Sequence, residues 1–244
     1  MKRLIPVIAL AIVLASSSVW AADATLGLDM NSAYVWRGIT FNDGPVAQPS
    51  IDVTNGSFGV NVWANWDIDD YDDQLDDNEF SEVDLTVYYG FSLQKLEIGV
   101  GVIEYLFPVA GGSTHEAYVS LGLPIVGGLS VGSTFYYDFD EIDGYYVDLG
   151  LTYAMDLTDA FSIEAGARAA YADDDFAMAY SGTDGGLYDY TLSLSASYTL
   201  TKAWSVSASI NYADSLDDDA LADAEDGTGV DVNLYGGISV AYAF

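Results

Sequence analysis

Arg37 and Arg168 are the only guanidinium groups beyond residue 21 of this 244-residue chain. Eight carboxylates share the polar side of alternating segments with them: Asp29, Asp52, Asp84, Glu97, Asp148, Glu164, Asp189 and Asp231. Glu164 and Arg168 lie four apart, which on a strand places them on one face. Opposed charges of this kind have two uses. Held across a narrow passage, they set a transverse field that selects charged solutes. Closed on each other, they fill a small interior as a salt-bridge network. Two positive against about eight negative groups favours cations wherever a path is open.

Other chemistry is poorly supported. The chain has no Cys, so disulfides, thiol catalysis and cysteine-ligated metals are excluded. His115 follows Ser113 and Thr114 and precedes Glu116, but neighbours on a strand point to opposite faces, so this run does not assemble a catalytic triad. Gly111-Gly112, Gly127-Gly128 and Gly185-Gly186 read as turns or hinges rather than phosphate cradles. No enzyme is expected. With 38 Asp+Glu against 6 Lys+Arg and a net charge of −32, nucleic acid is not a partner.

The acids also form tracts. Asp69, Asp70, Asp72 and Asp73 lie in one, and Asp217, Asp218 and Asp219 in another. Counted from Asp67 as an EF-hand, the sixth position is Asp72 instead of Gly and the twelfth is Asn78. The tracts read first as solvated acidic surface. Weakly held Ca2+ or Mg2+ is the alternative, and no other cofactor is expected.

The elements that must position these groups are strands. Val83, Leu85, Val87, Tyr89 and Phe91 alternate with Asp84, Thr86, Tyr88 and Gly90; residues 187–200 and 204–212 repeat the pattern. About twelve such segments are expected, near 25–38, 48–55, 57–67, 81–92, 95–106, 115–124, 128–138, 144–155, 160–171, 187–200, 203–213 and 230–244. Short and long connections alternate between them. The long set holds 24 of the 38 acids, and the short set only Asp156 and Asp159. Charge and loop length therefore separate to opposite ends of one antiparallel structure, as in outer-membrane barrels.

Residues 1–21 read as a cleaved signal peptide, leaving 22–244 as the barrel. Lys2 and Arg3 precede the apolar run Leu4 to Leu14, and Val19-Trp20-Ala21 ends it. Alternation alone does not say which face meets solvent. A soluble exterior would carry many basic residues, yet beyond residue 21 there are only Arg37, Lys95, Arg168 and Lys202. Aromatics cluster at strand ends on the apolar side. Phe58, Phe91, Phe161 and Trp204 mark the short-turn end; Trp36, Trp66, Phe135, Tyr137, Tyr145, Tyr171, Tyr188 and Tyr212 mark the other. Two such rings suit two membrane interfaces.

Two segments add a resemblance. The ending Val240-Ala241-Tyr242-Ala243-Phe244 is similar to the C-terminal signal that outer-membrane barrels present to their insertion machinery. Ser32-Ala33-Tyr34-Val35-Trp36-Arg37-Gly38-Ile39-Thr40, with Gly44-Pro45, Gln48-Pro49 and Ser50-Ile51-Asp52, resembles the opening of the TorF family of outer-membrane porins. Gly59 and Trp63-Ala64-Asn65 continue the likeness, which spans about residues 30–68. It implies a barrel and a pore, with no substrate attached.

The expectation is thus an all-β, up-and-down transmembrane barrel in a Gram-negative outer membrane. It would pass small solutes with a cation bias, in contact with lipid and lipopolysaccharide. A closed barrel with a surface role (adhesion, envelope stabilisation or a divalent-cation-binding coat) is the alternative. A secreted soluble barrel is the third.

Overall fold

The computed structural model describes residues 22–71, 75, 77–217 and 232–244. Twelve antiparallel strands close into one barrel. In chain order the elements are β1 (Asp23–Asn31), β2 (Tyr34–Trp36), β3 (Ile39–Asn42), β4 (Val46–Asn55), β5 (Phe58–Asp67), β6 (Glu79–Leu93), β7 (Leu96–Leu106), β8 (Ser113–Val126), β9 (Leu129–Asp138), β10 (Tyr145–Asp156), β11 (Phe161–Ala172), α1 (Asp174–Tyr180), β12 (Gly186–Thr199), β13 (Trp204–Ser215) and β14 (Leu234–Ala243). The wall strands β4 to β14 pair in chain order, and β1 pairs with both β4 and β14 to seal the cylinder. The pair β2–β3 belongs to a separate two-stranded sheet.

Register shows which face is apolar. Leu26 pairs with Ile51, and Val87 with Val102, all on the outside. Leu26, Leu28, Met30, Val87, Tyr89, Phe91, Leu192 and Leu194 are 41–51 % exposed. Each such side chain left in water forfeits about 1.5–3 kcal/mol of burial. Repeated around twelve strands, that loss exceeds the roughly 5–15 kcal/mol that keeps a domain folded. The outer band is therefore matched to hydrocarbon. Aromatic contacts rim it: Trp204 lies 4.8 Å from Tyr242 at the short-turn end, and Tyr145 stacks on both Phe135 and Tyr171 at the long-loop end.

The first expected segment, 25–38, does not run through. The wall strand ends at Asn31, and the chain turns off the wall into β2 and β3. Arg37 (φ 50°) and Gly38 (φ 81°) form the two-residue turn between Trp36 and Ile39. Positive φ at both central residues is what a type I′ hairpin needs. Arg37 thus sits on a hairpin tip rather than on a barrel strand, and Trp36 leaves the outer girdle for the interior. Tyr188 is also interior: a register shift between Ala169 and Tyr171 lets Tyr188 and Asp189 both turn inward. The connection expected at 172–186 contains α1. Its N-cap is Asp173, which accepts a bond from the Phe176 N–H.

Candidate functional site: the plugged lumen

At the long-loop end the β2–β3 hairpin enters the barrel and α1 packs against it. Trp36, Ile39, Tyr136, Tyr146, Ala170, Ala172, Phe176, Ala177, Tyr180 and Tyr188 form an apolar core there. It lies inside the cylinder, unlike the lipid-facing band. A row of side-chain amides steadies the base of the hairpin. Asn31 donates to Gln48, Gln48 to Asn65, and Asn65 and Asn42 both donate to Asp67.

Arg37 is the tip of this plug. Its two terminal nitrogens donate to the Glu116 carboxylate at 2.8 and 2.7 Å, and the Tyr105 hydroxyl donates to the same carboxylate at 3.0 Å. The guanidinium lies 4.2 Å from the ring centres of both Trp36 and Tyr136, and 4.6 Å from that of Tyr146. Burial works against the charge, but the adjoining Glu116 outweighs it and holds the guanidinium above its ordinary value. A planar fork that stacks on aromatic faces suits Arg and would not suit Lys.

Arg168 is held by a second cluster. It donates to the Tyr146 hydroxyl at 2.5 Å, to Asp189 at 2.7 Å and to the Thr191 hydroxyl at 3.0 Å. Tyr146 in turn donates to the other Asp189 oxygen at 2.6 Å. Tyr146 therefore joins both clusters, giving its ring to Arg37 and its hydroxyl to the pair Arg168–Asp189.

The remaining sequence candidates divide by surroundings. Asp29, Asp52, Asp84, Glu97, Asp148 and Glu164 all fall on inward positions of the pairing register, and none lies within 4.0 Å of a basic side chain among the described residues. The Tyr88 hydroxyl contacts both Asp52 oxygens at 3.0 Å. One oxygen of Asp84 is buried with no hydrogen-bond partner among the described residues. Asp231 lies outside the described residues.

Sequence reasoning missed Glu116, Glu82 and Tyr146. Glu116 shares its face with Tyr118 and Ser120, so its inward direction was readable; its partner was not, because Arg37 reaches it across 79 positions. Glu82 accepts from the Tyr34 hydroxyl of the hairpin at 2.9 Å. Tyr146 offers no sequence signal beyond its parity.

Elsewhere the chemistry is sparse. His115 points outward at the end of β8, where Nδ1 lies 2.7 Å from Asp140 and Nε2 3.8 Å from Glu104. Gly128-Leu129-Ser130-Val131-Gly132 matches a nucleophile-elbow pattern in letters, but it runs through a hairpin into β9, not from a strand into a helix. Among the described residues no three His, Asp or Glu side chains are grouped to hold a metal. Of the loop acids, Asp69 accepts the Asp70 N–H and Asp70 accepts that of Leu75. The Asp217 carbonyl accepts from Ser215, while Asp72, Asp73, Asp218 and Asp219 lie outside the described residues.

A closed twelve-strand barrel with an apolar exterior and charged interior has the architecture of the outer-membrane porins. The chain is similar to the KdgM porin, with 14% identity over 90% of this chain and 99% of that one, at a TM-score of 0.57. The NanC porin is similar at 13% identity, 91% and 98% coverage and a TM-score of 0.55. An outer membrane channel from Pseudomonas putida F1 gives 9%, 93%, 97% and 0.56. KdgM has also been solved in complex with disordered oligogalacturonate, and that structure matches at 13% identity over 91% of this chain and 99% of that one, with a TM-score of 0.57. At these identities the likeness is one of fold. Residues 16–223 match the family described as a bacterial protein of unknown function, Gcw_chp, and the chain belongs to that family. No curated protein matches the sequence.

Proposed function

We propose that this chain is an outer-membrane channel for small solutes, with a preference for cations. The observation that carries the reading is a lumen whose two arginines are each closed on a carboxylate, while six further inward acids have no basic side chain within 4.0 Å among the described residues. The field facing a solute is then set by Asp29, Asp52, Glu97, Asp148 and Glu164. A polyanion such as the oligogalacturonate bound by KdgM would meet repulsion here. The porin-like fold and the lipid-matched band support the location, with residues 1–21 as the cleaved leader and the acidic loops outward. On this reading the partners are lipid, lipopolysaccharide, the insertion machinery and the solutes, and no reaction is catalysed. Arg37-Gly38 in its hairpin is the part of the TorF-like segment that the reading uses.

Planar-bilayer recordings across a KCl gradient test it. A reversal potential of cation-selective sign is expected, and anion selectivity at low salt would overturn it. The inward hairpin and α1 favour a second reading, a closed barrel with a surface role. Absence of any conductance would select that one, and calcium binding by the loops without flux would strengthen it.

A further inference from the structure

Below the plug, the lumen contains a cavity of about 320 Å³ between β9, β10, β11 and β12. Its walls carry both signs of charge. Arg168 borders it with a side chain 29 % exposed, in contrast to Arg37 at 6 %. Asp148 borders it two residues from Gly150, the direct partner of Arg168. Among the described residues no ion pair within 4.0 Å joins Asp148 to Arg168. One Asp148 oxygen accepts the Thr134 N–H at 3.3 Å, and the other has no hydrogen bond among the described residues. Thr152 and Ser193 add hydroxyls to the wall, and Gly132, Gly150 and Gly166 leave its floor bare.

We infer that this cavity is a binding step for small zwitterions of the amino-acid type, with the ammonium on Asp148 and the carboxylate against Arg168. The inference rests on the channel reading and names a solute class for the same lumen. Arg168 is paired with Asp189, but only three of its five N–H groups are used, on Asp189, Tyr146 and Thr191, and one Asp148 oxygen accepts nothing among the described residues. A solute carrying both charges compensates both; a lone cation or anion satisfies one and is repelled by the other. The cavity continues toward the short-turn mouth. A second space of about 580 Å³ shares Gly132 and Thr152 with it and carries another opposed pair, Lys95 and Glu97. The row Glu97, Gly122, Gly132, Gly150, Arg168 is in register across five strands. On tilted strands such a row climbs from the mouth toward mid-lumen.

The test compares influx of L-serine, erythritol, serinamide and glycerate into proteoliposomes holding the full-length protein, with potassium current recorded in parallel. Serine is expected to enter roughly fivefold faster than erythritol, as charge-assisted contacts at both ends would give. Asp148→Asn should bring that ratio close to one. Gly150→Leu should also lower serine influx by filling the cavity; a Cβ there meets nothing nearer than 3.5 Å, so the wall admits it. Serinamide entering as fast as serine would remove Arg168 from the role and overturn the inference. Equal entry of serine and erythritol while potassium current flows would overturn it and leave the channel reading standing. With no current and no influx, both fall.

Discussion

Arg37 and Glu116, 79 positions apart, meet in a two-point ion pair at 2.7 and 2.8 Å inside the barrel. The pair ties the tip of an inward hairpin to the opposite wall, with the guanidinium between Trp36 and Tyr136.

Removing one member leaves a buried charge alone. Glu116→Gln or Arg37→Ala should cost about 3–5 kcal/mol of plug stability. The wall strands do not depend on this pair, so the barrel should still assemble. On the channel reading, freeing the hairpin raises single-channel conductance and current noise. An unchanged current in a folded Arg37→Ala variant would show that the hairpin does not limit flow.

Tyr146→Phe removes only a hydroxyl, yet that hydroxyl contacts Arg168 and Asp189 at 2.5 and 2.6 Å. Urea unfolding should show a loss of about 1.5–3 kcal/mol, the range for hydrogen bonds to charged groups. A change below about 0.5 kcal/mol, the range of an ordinary surface substitution, would mean that the two clusters are not joined through this residue.

Gly59 has a steric role that its neighbour explains. A Cβ at Gly59 would come within 2.1–2.5 Å of the Tyr88 ring, which lies over that glycine while its hydroxyl binds Asp52. Gly59→Ala should therefore destabilise the barrel by about 1–3 kcal/mol through overpacking. Tyr88→Ala in the same chain should relieve most of the loss, measured as recovery of the unfolding midpoint.

Leu151→Arg tests the outer face directly. Near mid-bilayer an outward arginine should cost about 2–4 kcal/mol. Inward Thr152→Arg, one residue on, should cost far less and should shift selectivity away from cations. Equal costs at the two positions would contradict the assigned faces.

Selectivity should also depend on salt. The Debye length is about 30 Å at 0.01 M and about 3 Å at 1 M. On the channel reading, a cation preference should thus be strong in dilute KCl and fade toward 1 M, read as the reversal potential at a fixed concentration ratio.

Much of the wall was legible in the sequence. Strict alternation marked the strands β4 to β13 to within about two residues, because a two-residue period follows from strand geometry and needs no knowledge of what the strand pairs with. Loop length and acid content separated the two ends for a similar reason: charge gathers where chain is solvated. Arg168 with Asp189 on the inner face followed from parity. Pro49 was harder, since a proline inside a strand argues against one. It is tolerated where the β4–β5 ladder lapses between Ala47 and Ser50, so its missing N–H leaves no broken pair.

The plug belonged to tertiary structure. Parity assigned Trp36 to the lipid girdle, but parity holds only while the chain stays in the wall, and it leaves after Asn31. The positive φ pair at Arg37-Gly38 makes a hairpin possible; only the cage of Glu116, Tyr136, Tyr146 and Phe176 decides that it points inward. Tyr188 was misread through a bulge, a one-residue slip that local periodicity does not record. Strand identity is a property of successive residues, whereas the filling of a lumen depends on side chains brought together by closure of the sheet. The sequence by itself determined the barrel wall and its faces, and closure decided which interior charges are paired and which have no basic neighbour among the described residues.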